Sequence, residues 1–170
     1  MNARDPMGRH TVAPITVIGI GNPYRHDDAA GQVVLAALQT RFAGDARVRL
    51  VELDGEPVRM IQSWEGSTRV FIVDAVRSGH EPGTIHRCQA DHLTGVAADG
   101  VTLGGGHLLG LGEAIDLARA LHHLPPALEV LGIEGACFEM GEGLTDAVAS
   151  ACRIVAARLM TEIDRVLAAR

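Results

Sequence analysis

Five short apolar runs, separated by stretches of helical period, constrain this sequence more than any other feature. They are residues 15–20 (ITVIGI), 48–53 (VRLVEL), 69–76 (RVFIVDAV), 83–89 (GTIHRCQ) and 127–135 (ALEVLGIEG). The first and third are apolar and β-branched almost throughout, the pattern of strands buried on both faces. Between the runs, Val34, Leu35, Leu38 and Phe42 recur at helical spacing. So do Leu111, Ala114, Ile115, Ala118 and Leu121, and then Val148, Cys152, Val155, Leu159, Ile163 and Val166. Residues 58–64 (VRMIQSW) read as a shorter helix. Strands alternating with helices predict an α/β fold, a single-domain three-layer sandwich with a mainly parallel twisted sheet and helices on both faces. The run 83–89, opened by Pro82-Gly83, belongs at an edge. With 170 residues, 47% of them hydrophobic, the chain suits one domain with a sizeable core. Residues 1–13 read as a flexible tail and 14–170 as the domain.

The net charge of −6 argues against nucleic-acid binding, which needs a basic surface. No apolar run approaches the roughly 20 residues that span a bilayer, and the first residues lack a hydrophobic signal core. A cytoplasmic monomer that does not engage membranes is therefore expected. Cys88, Cys137 and Cys152 form neither a CxxC motif nor a disulfide framework and read as free thiols.

In sheets of this kind ligands bind beyond the carboxyl ends of the strands. That rule selects four carboxylates: Asp28 after the first strand, Asp54 after the second, Asp74 near the end of the third, and Glu134 at the end of the last. The first turn, GNPYRHDDAAG (21–31), has the glycine-rich look of a phosphate loop. Yet Tyr24 stands where GxGxxG requires glycine, and GxxxxGK[ST] is absent. Asp27 and Asp28 would also repel a pyrophosphate at a helix N-terminus. They cap the helix, or one caps while the other faces a site. Asp74, inside FIVDAV, needs loop amides, a positive partner or a metal, because an isolated buried carboxylate is costly. His107, after three glycines in GGGHLLGLGEA, is a helix-start residue or an imidazole aimed at the rim. Together Asp28, Asp74 and His107 offer a donor set suited to a borderline divalent metal such as Ni, Zn, Mn or Fe(II). His26, beside the aspartates, is a candidate substrate contact, and Thr145 a cap for the last helix. His80, His86 and His92 read as surface residues, and Tyr24 as a packing residue. GxSxG is absent and Ser63, Ser67, Ser78 and Ser150 read as lying outside the rim, so a serine nucleophile is a poor fit. Cys137 is the one thiol near the rim.

These stretches carry a resemblance. VIGIGNPYRHDDAAG, ELDG, VFIVDAV followed by PGTI, GGGHLLGLGEAIDLARAL, LPPALEVLGIEG and GEGLTDAV resemble, in order and spacing over about residues 15–165, the hydrogenase maturation proteases. The resemblance implies a single α/β domain. It also implies an endopeptidase that removes the C-terminal extension of a [NiFe]-hydrogenase large-subunit precursor once nickel is in place. Nickel would come with the substrate, so no resident cofactor is expected. The family's three nickel-contacting positions map onto Asp28, Asp74 and His107. Asp28 and Asp74 are then the catalytic candidates, and Asp54, Asp27, His26 and Glu134 the candidate substrate contacts. Ala29, the Gly104–Gly106 run and Glu56 depart from residues frequent in the family, without altering the three ligand types. A metal-polarised water and a carboxylate general base are both compatible with this set. So are two other functions, a nickel-sensing module without hydrolysis and a general metal-dependent hydrolase.

Overall fold

A computed structural model describes residues 14–90 and 107–169, and of residues 107–110 the helical backbone alone. The expected tail, 1–13, lies outside the described residues. The chain runs β1 (Ile15–Ile20), a 3-10 turn (His26–Ala29), α1 (Ala30–Phe42), β2 (Val48–Leu53), α2 (Pro57–Trp64), β3 (Arg69–Val76), β4 (Ile85–Gln89), α3 (His107–Ala120), β5 (Ala127–Glu134) and α4 (Asp146–Ala168). All five apolar runs are strands.

The strand order is β2-β1-β3-β5-β4. The first four strands are mutually parallel, with Ile15 opposite Val48 and Arg69, and Asp74 opposite Gly132. β4 pairs antiparallel with β5 at the edge, His86 opposite Gly132. Its Arg87 bridges to Glu129 and Glu162, which puts charge on an edge that would otherwise invite further strands. All six residues of β1 are buried, as a strand covered on both faces requires.

Alternation along the strands sorts the core into two layers. On one face Ile15, Val17, Phe71, Val73, Leu131 and Ile133 meet α1 and α4 through Val34, Leu38, Val148, Val155 and Leu159. On the other, Ile18, Ile20, Ile72 and Val130 meet α2 and α3 through Met60, Trp64, Leu111 and Ile115. α2 starts where its sequence says it should. Pro57 occupies the first turn, and the Glu56 carboxylate accepts from the amides of Val58 and Arg59 at 3.0 and 2.8 Å.

The start of α1 is set by backbone contact. A Cβ at Gly31 would lie 2.5 Å from both Ile20 O and Val73 O, so the helix rests directly on β1 and β3. The turn before it is equally tight. Gly21 has φ +143°, and a Cβ there would overlap Asp28 O. Gly31→Ala should destabilise the protein by about 1–3 kcal/mol, although alanine is the better helix former by up to about 1 kcal/mol. The check is a lower urea midpoint at unchanged m-value.

Candidate active-site rim

The sheet order reverses around β1: β2 lies on one side and β3 on the other. The crevice beyond the carboxyl ends of β1 and β3 is therefore the topological switch point of this fold. Asp28 comes from the 3-10 turn that follows β1, and Asp74 from β3 itself.

The adjacent aspartates of the first turn have divided their tasks. Asp27 is fully buried. Its Oδ2 accepts from the amides of Ala136 and Cys137 at 2.8 and 2.9 Å, and its Oδ1 from the Thr145 amide at 2.7 Å. The Thr145 hydroxyl adds contacts of 3.0 Å to both oxygens. This carboxylate joins the loop after β1 to the loop between β5 and α4. It does not cap α1, which has no side-chain cap. Its own oxygens, in a fully buried side chain, are taken up by the amides of the loop between β5 and α4. Thr145 precedes α4, but its side chain bonds Asp27 rather than capping the helix.

The two loops are stitched further by their backbones. The amide of His26 donates to Gly141 O at 2.9 Å, that of Gly141 to Tyr24 O at 2.8 Å, and that of Asp27 to Cys137 O at 3.0 Å. His26 sits at φ +45°. Its ring packs on Gly141, where a Cβ would overlap it, and Nδ1 donates to Gly143 O at 3.0 Å. The imidazole expected to meet substrate thus braces the loop instead. Tyr24, expected to pack, is 59% exposed, and Met140 on the facing loop is 77% exposed. They form an apolar lip.

Asp28, 1% exposed, points inward from the 3-10 turn, with the Arg25 guanidinium 3.8 Å from Oδ2. Arg25 also donates to Phe138 O at 3.2 Å, so one side chain serves both the loop and the aspartate. Sequence reasoning passed over this arginine, although i,i+3 spacing to Asp28 was its signal.

Asp74 is 1% exposed, and neither carboxylate oxygen makes a hydrogen bond to the described residues beyond a weak interaction with the Ala75 amide. Burial, then the nearby Asp28 charge, push its pKa up from 3.8 to about 7. Among the described residues, the set of loop amides that would make it a plain strand-end residue is not found. By alternation Asp74 lies on the face covered by α2 and α3. The far end of α3 touches the opposite rim, where Arg119 donates to Ala90 O at 3.1 Å. With a rise of about 1.5 Å per residue, the helix spans back toward the carboxyl rim. His107 is its first residue, and the His107 side chain lies outside the described residues.

The remaining rim carboxylates differ from both. Asp54 is exposed and pairs with Arg59 at 3.3 Å. Glu134, 1% exposed, is enclosed rather than open to substrate. Its Oε1 accepts from the amides of Ser78 and Gly79 at 2.7 and 2.9 Å, and its Oε2 from the Ser78 hydroxyl at 2.6 Å and His86 Nε2 at 3.1 Å. Burial opposes its charge, but the Ser78, His86 and Gly79 donors outweigh burial and hold its pKa below the ordinary value. Two expectations change here. Ser78 is at the rim after all, one residue beyond Arg77 at the exit of β3, and His86 is partly buried rather than on the surface. Ser78 is a poor nucleophile, because the Glu134 carboxylate that accepts its proton has a pKa held below the ordinary value and is a weak base. Burial raises the Cys152 thiol to a pKa of about 11, so it is inert.

A doubly wound α/β domain with a buried carboxylate pair at its switch point defines the class. The hydrogenase maturation protease family model matches residues 33–162. The chain belongs to that family. It is similar to the hydrogenase expression/formation protein HupD of Thiocapsa roseopersicina, with 27% identity over 71% of this chain and 53% of the relative. The hydrogenase 2 maturation protease of Escherichia coli is 24% identical over 79% of this chain and 80% of its own. The chain spans 53% and 63% of the lengths of the Thiocapsa and Rhizobium leguminosarum HupD proteins. In fold it resembles the maturating endopeptidase HybD of E. coli, with a TM-score of 0.75 and 21% identity over 89% of this chain and 93% of that one. The maturation protease HycI of Thermococcus kodakarensis follows with a TM-score of 0.67 and 22% identity over 89% and 92%.

Two outcomes follow from the divided aspartates. Asp27→Ala removes the acceptor of three partly buried amides and should cost about 2–3 kcal/mol, measured by urea unfolding. Asp74→Asn should act oppositely as pH rises. The folded protein holds the Asp74 proton more tightly than the unfolded chain does. Wild-type stability from this group is therefore lost as pH climbs from 3.8 to about 7, and the full penalty applies above. The stability gap should move in favour of the variant by on the order of 4 kcal/mol across that range. Thermal unfolding of both proteins at the two ends of the window checks the sign.

Proposed function

We propose that this chain is an endopeptidase that removes the C-terminal extension of a [NiFe]-hydrogenase large-subunit precursor and uses nickel already seated in the precursor as its recognition element. Family membership supports the reaction class, and one observation supports the site: a buried carboxylate, Asp74, that has no strong hydrogen-bond donor among the described residues and lies near a second carboxylate, Asp28. The charges of Asp28 and Asp74 repel each other, and it is Asp74 that bears the cost. A divalent cation between them removes the repulsion and supplies Asp74 with a positive partner. Their oxygens, with the imidazole of His107, make a donor set that fits Ni(II).

The nickel is cargo of the substrate. Asp28, Asp74 and His107 grip it and in doing so register that loading is complete. Asp74 has two oxygens to offer, one for the cation and one for the attacking water. We assign the general-base role to this carboxylate pair, with substrate nickel fixing the position of the scissile bond. The incoming chain passes the Tyr24–Met140 lip, and exposed Asp54 at the end of β2 is the remaining acidic contact. Asp27, His26 and Glu134 hold the loops that shape this mouth.

Mass spectrometry of mixtures with nickel-loaded and nickel-free precursor tests the proposal. Loss of one C-terminal peptide from the loaded form alone is expected. Cleavage of both forms would remove the metal gate, and binding without cleavage would make the protein a sensor. Asp28→Asn, Asp74→Asn and His107→Ala should each fold and slow processing by about 10²-fold or more. Normal processing by Asp74→Asn would overturn the site.

A further inference from the structure

A second group of metal-competent side chains lies on the same rim, away from the aspartate pair. His80, His86 and Glu134 bring one donor atom each to within 4.8 Å of one another, a convergence among the described residues that no part of the proposed reaction uses. We propose that these three residues form a resident site for a borderline divalent cation of the Zn²⁺ type, separate from the nickel-reading pair.

Three observations carry this. First, the chemistry is right: two imidazoles and a carboxylate, with room for water, are the donor set of open zinc sites. His86 Nε2 and Glu134 Oε2 are already 3.1 Å apart. Two ligands that each sit about 2.0–2.2 Å from one tetrahedral ion are separated by about this distance. The His80 ring stands edge-on to that of His86, with centroids 4.9 Å apart at 72°, so only His80 has to move. It can do so, because it is exposed and follows Gly79 at φ +86°, where a Cβ would meet nothing within 4 Å.

Second, the carboxylate is built in rather than lying on the surface. Glu134 is buried, and the Ser78 and Gly79 amides fix Oε1 while leaving Oε2 toward the histidines. Outer hydrogen bonds of this kind orient ligands in metal centres. Ser78 Oγ stands 2.8 Å from His80 Nδ1 and 2.6 Å from Glu134 Oε2, so one hydroxyl already bridges two of the ligands. On binding, the His86 proton moves from Nε2 to Nδ1, and the cation takes its place against Oε2.

Third, the sheet dictates the placement. His86 pairs with Gly132, which pairs with Asp74, so the histidine and the aspartate share a face across a residue without a side chain. Two strand spacings, about 10 Å, separate the two backbones. A cation here would cross-link the loop after β3, the edge strand and β5. That loop also carries Arg77, whose guanidinium lies 4.7 Å from the centre of the Phe138 ring on the mouth loop. Occupancy would therefore stiffen one wall of the mouth. The inference departs from the expectation of a chain without a resident metal, and it stands whether or not the nickel reading does.

Cobalt(II) is the probe, because its visible absorption reports tetrahedral nitrogen–oxygen coordination. The metal-free full chain is titrated with Co²⁺, and bound Co²⁺ is then displaced with Zn²⁺. A saturable equivalent is expected that is weakened at least tenfold by His80→Ala and by His86→Gln and shifted less than twofold by Asp74→Asn, whatever the aspartate pair binds beside it. His80 is exposed, so its variant should fold, and glutamine at 86 keeps a donor toward Glu134. Binding that follows Asp74 and ignores both histidine variants would overturn the second site, as would the lack of any saturable band. Processing assays with the same variants keep the two sites distinguishable.

Discussion

The rim depends on one buried ionic clamp. Asp27 reaches from the loop after β1 to the amides of Ala136, Cys137 and Thr145 and so locks together the exits of β1 and β5. With that loop fixed, the next residue has a single direction available, inward. The placement of Asp28 is thus a consequence of its neighbour's hydrogen bonds. Hydrogen bonds to a charged acceptor are the strong ones, which suits a carboxylate whose task is to hold two irregular segments at a functional edge. Backbone contact secures the other side, where Gly31 lets α1 rest on β1 and β3 without an intervening side chain.

Most of the fold was legible because buried parallel strands and amphipathic helices leave periodic traces. All five strands and four helices fall where the apolar spacing put them, including the edge position of β4. The rim was legible one level down, since strand ends can be read from strands. What spacing could not supply was the partner of each polar side chain. Asp27 and Asp28 are adjacent and chemically identical, and only the geometry of a 3-10 turn separates a loop clamp from a site residue. Glu134 sits at a strand end like Asp74, yet three donors from Ser78 and Gly79 enclose it. Those donors come from a turn whose fold is invisible in composition. His80 and His86 gave no metal signal because their third partner lies on another strand, 48 residues beyond His86 in the chain.

The two carboxylates of β3 and β5 show how one architecture produces opposite electrostatic outcomes. Asp74 and Glu134 are equally buried and lie on adjacent strands. Amides and a hydroxyl converge on Glu134, which keeps its charge comfortably. Asp74 is buried near another aspartate, and its charge is held at a disadvantage. The first arrangement gives a stable loop. The second carries a stability cost of the kind that functional sites tolerate.

The raised proton affinity of Asp74 has a consequence for how substrate is accepted. Near neutrality this carboxyl is about half protonated, since its pKa is about 7. The free protein therefore carries a proton on this carboxyl in part of its molecules. On the proposed reading, docking of a loaded precursor is an exchange rather than a simple addition: the Asp74 proton leaves the crevice as the divalent ion enters, with a net gain of positive charge. A precursor without its ion has nothing to trade, and the crevice stays closed by its own proton. Discrimination between the two forms then begins at binding, before any peptide bond is touched.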